Sequence, residues 1–377
     1  MKTAYNLILV VTSLISCTSS KNIKNSSLDK LNPNESTNLN DHKKLTERYQ
    51  TLIPVQGSII MGYTIDGYIP SEGQLENISH LAISFLRPVN SIGDVSLTPG
   101  WEDLDSVISF AQEHNVKTII SFGGGEFKIT SELMGVLEHR KNLINNILNF
   151  IEKYNLDGFD CDWEPSWDNN RNEMEIVNNT INNYYFIFIK EFRKALDSKF
   201  GKGSKSFSAA VLNKNLIWYS QNKQVAHFPQ NGWWNYLDWI ALMNYDNELG
   251  SLHATFNSVF GLDGSLSHWT NFGIPKNKII IGIPFYARAG WGNEWLFYKD
   301  IIDIIPTIND TVDFISYEKN NIGMKDYGFN GVSTVTRKVN KIKKLNLAGV
   351  MIWQLAGDLP VDNKKSLLKA INNELHQ

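Results

Sequence analysis

The chain has 377 residues, 42% of them hydrophobic, with a formal net charge of −3. That apolar share is enough for a buried core, and the near balance of charge gives no electrostatic reason to expect nucleic acid as a partner. The length allows one large domain or two ordinary ones, since α/β barrels run to ~250 residues or more as one unit.

The first residues, "MKTAYNLILVVTSLISC", join a basic Lys2 to an apolar run Leu7–Val11 and small residues before Cys17. This is the pattern of a signal peptide, too short to span a bilayer as a helix. "LISC" (Leu14–Cys17) resembles the bacterial lipobox, which implies that Cys17 carries lipid. Residues 1–17 therefore read as a lipoprotein-type signal peptide, and the protein is expected at a bacterial cell envelope, anchored through Cys17. Ordinary cleavage and secretion is the alternative. The only other cysteine is Cys161, so a lipidated Cys17 leaves no pair for an intrachain disulfide. Residues 18–52 are rich in Asn, Ser and Lys with no sustained apolar period, and read as a disordered tether. Residues 53–377 are expected to form the folded domain.

From Ser58 onward, apolar runs alternate with helical patterns. The predicted strands are Ser58–Thr64, His80–Leu86, Val116–Gly124, Leu156–Glu164, Ser206–Leu212, Leu237–Tyr245, Lys278–Tyr286 and Leu347–Leu355. Helical periodicity falls on Glu102–His114, Glu132–Tyr154, Met174–Phe200, Ser333–Leu345 and Lys364–Leu375. Eight strands with intervening helices predict an α/β fold with a closed (β/α)8 TIM barrel. An open doubly wound sheet is the alternative, but "GYTIDGYIP" after the first strand has no GxGxxG phosphate turn. A monomer without cofactor is expected.

The fourth strand, within "LDGFDCDWEPSW" (Leu156–Trp167), is unusual. Alternate side chains of a strand face opposite ways, so Asp160, Asp162 and Glu164 share one face while Phe159, Cys161 and Trp163 share the other. Asp157 has the opposite parity and is set apart. Clustered carboxylates raise at least one pKa, and a carboxylic acid kept protonated near neutrality is what protonating a glycosidic oxygen requires. Metal binding is the rival, but i, i+2, i+4 spacing spreads the oxygens over ~13 Å, poor for one ion. No metal is expected.

"DGFDCDWE" (Asp157–Glu164) resembles the DxxDxDxE signature of family 18 glycoside hydrolases, the chitinase family. "SFGG" (Ser121–Gly124), "MNYD" (Met243–Asp246), "GIPFYAR" (Gly282–Arg288) and "GVMIWQLAGD" (Gly349–Asp358) resemble further motifs of that family, in order and on the matching strands. The resemblance implies retaining hydrolysis of a substrate containing N-acetylglucosamine, with the substrate's own acetamido group as nucleophile. It implies Glu164 as acid and base, Asp162 as the group that orients the acetamide, and Asp160 as its tuning partner. Tyr245 would donate to the acetamide carbonyl, Trp353 would lie under the sugar at the cleavage site, and Tyr63, Asp246 and Met243 would belong to the same substrate-binding pocket. Asp157, Ser121, Gly123 and Gly124 read as structural. Without the resemblance, Tyr245 and Trp353 read as core aromatics, and Gly123 and Gly124 as turn residues.

Two departures stand out. "EPSW" follows the acid where many chitinases carry Tyr, and only Ala287–Asn346 separates strands seven and eight. A full α+β insertion is therefore not expected there, and a shallow, open groove suited to endo cleavage or to short oligosaccharides is. Trp167, Trp233, Trp234, Trp291 and Trp295 are candidates for extending that groove. The favoured substrate is chitin or chito-oligosaccharide. The alternatives are N-glycan cleavage by an endo-β-N-acetylglucosaminidase and a non-catalytic lectin.

Overall fold

All eight expected strands form, each within two residues of its predicted ends. The computed structural model describes residues 59–125, 131–164, 180–214, 217–219, 223–225, 228, 232–291, 294–319 and 323–376. Its barrel strands are β1 (Ile59–Ile65), β2 (His80–Pro88), β3 (Lys117–Gly123) and β4 (Gly158–Asp162), followed by β5 (Ser206–Leu212), β6 (Trp239–Met243), β7 (Ile279–Pro284) and β8 (Gly349–Trp353). Neighbours run parallel, and β1 pairs with both β2 and β8, from Met61 opposite His80 and from Ile59 opposite Gly349. The sheet therefore closes, which rules out the open alternative. The expected leader and tether, residues 1–52, lie outside the described residues, as do residues 53–58.

Helices at Leu104–Glu113, Leu137–Lys153 and Val332–Lys344 each feed the next strand through a left-handed asparagine. These are Asn115, Asn155 and Asn346, with φ of 59°, 47° and 54°. Asparagine tolerates that conformation, so the chain turns sharply out of the helix and back into the barrel. Burial divides into two clusters. One fills the barrel interior and includes Met61, Tyr63, Ile119, Ala241, Tyr245 and Met351. The larger lies between the strands and the helices. There Phe159 and Trp163, on the outward face of the β4 segment, pack against Phe192 and Phe188 of the helix Thr180–Phe200. The alternation in the β4 segment thus separates an apolar anchor from a face of acids turned inward.

The span between β7 and β8 is not bare. It holds four strands, Tyr286–Arg288, Trp295–Phe297, Phe314–Glu318 and Met324–Gly328, and a helix, Tyr298–Ile304. The strands form one antiparallel sheet. The expectation of no full insertion is narrowed accordingly: a small α+β layer stands there, built from strands of 3 to 5 residues. Such strands are too short to show periodicity in sequence.

Candidate active site

Asp160 is buried in the barrel, level with Ser121 on β3 and Ser208 on β5. Both serine hydroxyls donate to it, Ser121 Oγ to Oδ2 at 2.8 Å and Ser208 Oγ to Oδ1 at 2.7 Å. Tyr63 Oη adds a third bond to Oδ2 at 2.7 Å. Burial raises the Asp160 pKa while these three donors pull it down. Tyr63 is itself buried, 1% exposed.

Asp162 closes β4 one level higher. It is buried, and its Oδ1 has no hydrogen-bond partner among the described residues. Burial pushes its pKa well up, reinforced by the charges of Glu164 and Asp160 and opposed by Arg87. Glu164 lies just past the ladder, its amide donating to Asp162 O at 3.1 Å. Burial, then the charge of Asp246, raises the Glu164 carboxyl to about 7, with Arg87 opposing. The three acids are thus graded: one with its acceptors engaged, one with an open acceptor, and one at the rim holding its proton near neutrality.

Arg87 and the glycines set the rim. Arg87 Nε donates to the carbonyl of Gly123 at 2.9 Å, and the amide of Gly124 donates to Asp162 O at 3.0 Å. Gly123 and Gly124 have φ of 115° and 87°. A Cβ on Gly124 would meet the Phe85 ring at 2.8 Å. That ring stacks on Trp353, with centroids 5.8 Å apart, and Tyr63 meets Trp353 edge-on at 5.4 Å. Trp353 is half-buried at the end of β8. Asp157 sits at the opposite end of β4, where its Oδ2 accepts from the amide of Thr118 at 2.8 Å and ties β4 to β3.

Tyr245 and Met243 line the barrel mouth, both 9% exposed. The Tyr245 hydroxyl points to Met351 Sδ at 3.5 Å, a weak acceptor. Asp246 follows with φ 62° and gathers three partners. Tyr286 Oη donates to Oδ2 at 2.8 Å, Arg288 Nε lies 2.6 Å from Oδ1, and His253 Nε2 lies 3.2 Å from Oδ1. Burial alone would raise the Asp246 pKa, but these neighbours lower it. A cavity of about 850 Å³ opens beside Tyr245, bounded by Leu212, Asn213, Asn247 and Thr255. It meets the site only at Tyr245, and neither Glu164 nor Trp353 lines it.

Sequence reasoning missed Ser208, Arg87 and His253, and did not single out Tyr286 or Arg288 within the quoted motif. The candidate tryptophans separate. Trp233 and Trp234 lie in the turn that leads into β6, where Trp233 is buried against Tyr185, Phe228 and Trp269. Trp233, with no exposed surface, is not open to a sugar, while Trp234 is half-buried against Phe272. Trp291 is 67% exposed beside Arg288, Trp295 lies in the inserted sheet under Lys319, and Trp167 lies outside the described residues. Among the described residues, no group of three or more His, Cys, Asp or Glu is arranged to hold a metal ion.

The chain matches the model of Glycosyl hydrolases family 18 over residues 59–358. This chain belongs to glycosyl hydrolase family 18. It is 23% identical over 320 residues to a class V chitinase of Lotus japonicus, spanning 74% of this chain and 77% of that one. A chitinase structure from Bacteroides thetaiotaomicron superposes with a TM-score of 0.64 at 25% identity, over 84% of this chain and 96% of that one. A class V chitinase mutant from Cycas revoluta in complex with (GlcNAc)3 gives 0.67 at 18% identity, over 84% and 99%. The family 18 chain is thus a chitinase-like glycoside hydrolase on a (β/α)8 barrel.

Proposed function

We propose that the protein hydrolyses β-1,4-linked N-acetylglucosamine polymers with retention, by substrate-assisted catalysis. Glu164 gives its proton to the glycosidic oxygen as the bond to C1 breaks. The acetamide oxygen of the same sugar closes on C1, forming an oxazolinium-like intermediate. Water then attacks C1, Glu164 takes a proton from it, and the acetamide is released. Asp162 orients the acetamide, whose N–H suits the open acceptor Oδ1, and offsets the positive charge. Asp160, held by three hydroxyl donors, fixes Asp162's surroundings. Tyr245 turns from a weak thioether acceptor to the acetamide oxygen, while Trp353 underlies the sugar.

The observation that carries this reading is the placement of Glu164 just past the ladder of a family 18 barrel, its amide on Asp162 O at 3.1 Å and Asp162 Oδ1 without a partner among the described residues. Burial and the charge of Asp246, which raise the Glu164 carboxyl to about 7, agree with it. The chitin reading is supported by the relatives' names and by the (GlcNAc)3 complex of the Cycas protein. Glu164→Gln should cut turnover of chito-oligosaccharides by about 10²- to 10⁴-fold, the usual contribution of a general acid, while oligosaccharide binding persists. Wild-type activity in that variant would end the assignment. Release of N-glycan from a high-mannose glycoprotein, with no product from chitin oligomers, would move the substrate class to the glycan reading. Lipid anchoring belongs to the same proposal: Cys17→Ala should abolish labelling by radioactive palmitate and shift the protein out of the membrane fraction.

A further inference from the structure

Asp246 is held partly by a side chain that reaches away from it at the same time. His253, in the loop after β6, is 1% exposed. Its Nδ1 lies 3.0 Å from the carbonyl oxygen of Gly328, at the end of the inserted strand Met324–Gly328. Its Nε2 lies 3.2 Å from Asp246 Oδ1. A carbonyl only accepts, so Nδ1 carries a hydrogen, and in a neutral ring Nε2 would then be a bare lone pair. That lone pair would face a carboxylate oxygen. Asp246 is poorly suited to supply the missing hydrogen, because Arg288 Nε lies 2.6 Å from the same Oδ1 and Tyr286 donates to Oδ2 at 2.8 Å. Both favour the ionised carboxylate.

We propose that His253 carries a hydrogen on each ring nitrogen and, as an imidazolium, is a positioning residue that clamps Asp246 and the inserted sheet to the barrel rim. The proposal rests on the reading of Asp246 as part of the sugar-cleaving site. The loop it pins leaves β6 at Asp246 (φ 62°) and turns again at Ala254 (φ 52°), so the ring fixes the stretch between two left-handed residues. The titratable and charged groups packed around it come from several elements. Asp246 lies on its own loop, and Tyr286, with ring centroids 5.3 Å apart, comes with Arg288 from the first inserted strand. Lys338 of the helix Val332–Lys344 binds the neighbouring carbonyl of Ala254 at 2.7 Å, and the carbonyl of Asp326 flanks Gly250. Aspartate, arginine and imidazolium then form a compact charge group whose order depends on the inserted sheet staying docked.

The test is spectroscopic and kinetic. Nitrogen-15 spectra of the imidazole rings at neutral pH, with His253 assigned from its loss in His253→Gln, should show both nitrogens protonated. A neutral single-tautomer pattern would overturn the clamp. His253→Gln should lower kcat on chito-oligosaccharides about tenfold with a smaller change in KM, and Asp246→Asn should add little on top of it. Fully additive losses would also overturn it. If thermal unfolding shows the Gln variant misfolded, His253→Asn takes its place in both measurements. Wild-type protein inactive on chito-oligosaccharides would sink the reaction, while the ring spectrum alone would still decide the clamp.

Discussion

At the scale of single residues, the site works by giving three carboxyls on one short segment different surroundings. Asp160 accepts from three hydroxyls, Asp162 has an oxygen without a partner among the described residues, and burial and the charge of Asp246 raise the Glu164 carboxyl to about 7. The raised Glu164 pKa has a consequence for activity: kcat/KM should fall as pH rises through about 7, because the acid is then lost. It has one for stability as well. The folded protein holds a proton that the unfolded chain releases near 4.5, so this contribution is whole below 4.5 and disappears as pH rises through about 7. The loss is at most about 3 kcal/mol, reduced by water at the rim. Thermal unfolding of wild type and Glu164→Gln should therefore diverge between pH 4 and pH 8, with the variant gaining relative stability at the alkaline end. Parallel curves would show that Glu164 is not held in this way.

At the scale of elements, the β3 end and the β2 end are fitted to each other through Gly124 and Phe85. Gly124→Ala puts a Cβ 2.8 Å from the Phe85 ring at a backbone φ of 87°. It should cost about 1–3 kcal/mol in urea denaturation and raise KM, because the ring that must give way is the one stacked on Trp353. Unchanged KM and stability would mean that this contact is loose. The same scale shows what was legible in the sequence. Long β-branched runs such as Lys278–Tyr286 declare themselves, because strands covered on both faces need continuous apolar residues. The acids of the β4 segment were legible through their parity. The inserted sheet was not, because three-residue strands carry no period. Nor were the helices Phe256–Phe260 and Ser265–Phe272, short segments interrupted by Gly261 and Gly264. His253 and Arg288 lie 7 and 42 positions beyond Asp246 and meet it only once the loops have folded, so no local pattern announces them. Ser208 looked like an ordinary polar residue in an apolar strand until β4 came to lie beside β5.

At the scale of the whole molecule, closure of the barrel depends on a seam between the first strand and the last. Gly349 sits on that seam, and a Cβ there would lie 2.0 Å from the carbonyl oxygen of Ile59, which is backbone and cannot swing away. Gly349→Ala should therefore destabilise the domain by more than about 2 kcal/mol and weaken activity, since β8 also carries Trp353. Denaturation midpoints matching wild type would show that the seam yields without cost.

The seam also sets an order of events during synthesis. While the ribosome is still making residues before 349, β1 and β7 each lack the neighbour that will complete them, and both keep an open ladder edge. Seven-eighths of the barrel can exist without being a barrel. A nascent chain stalled in this interval is a sticky, unsealed sheet, and its solubility depends on how quickly the last strand follows.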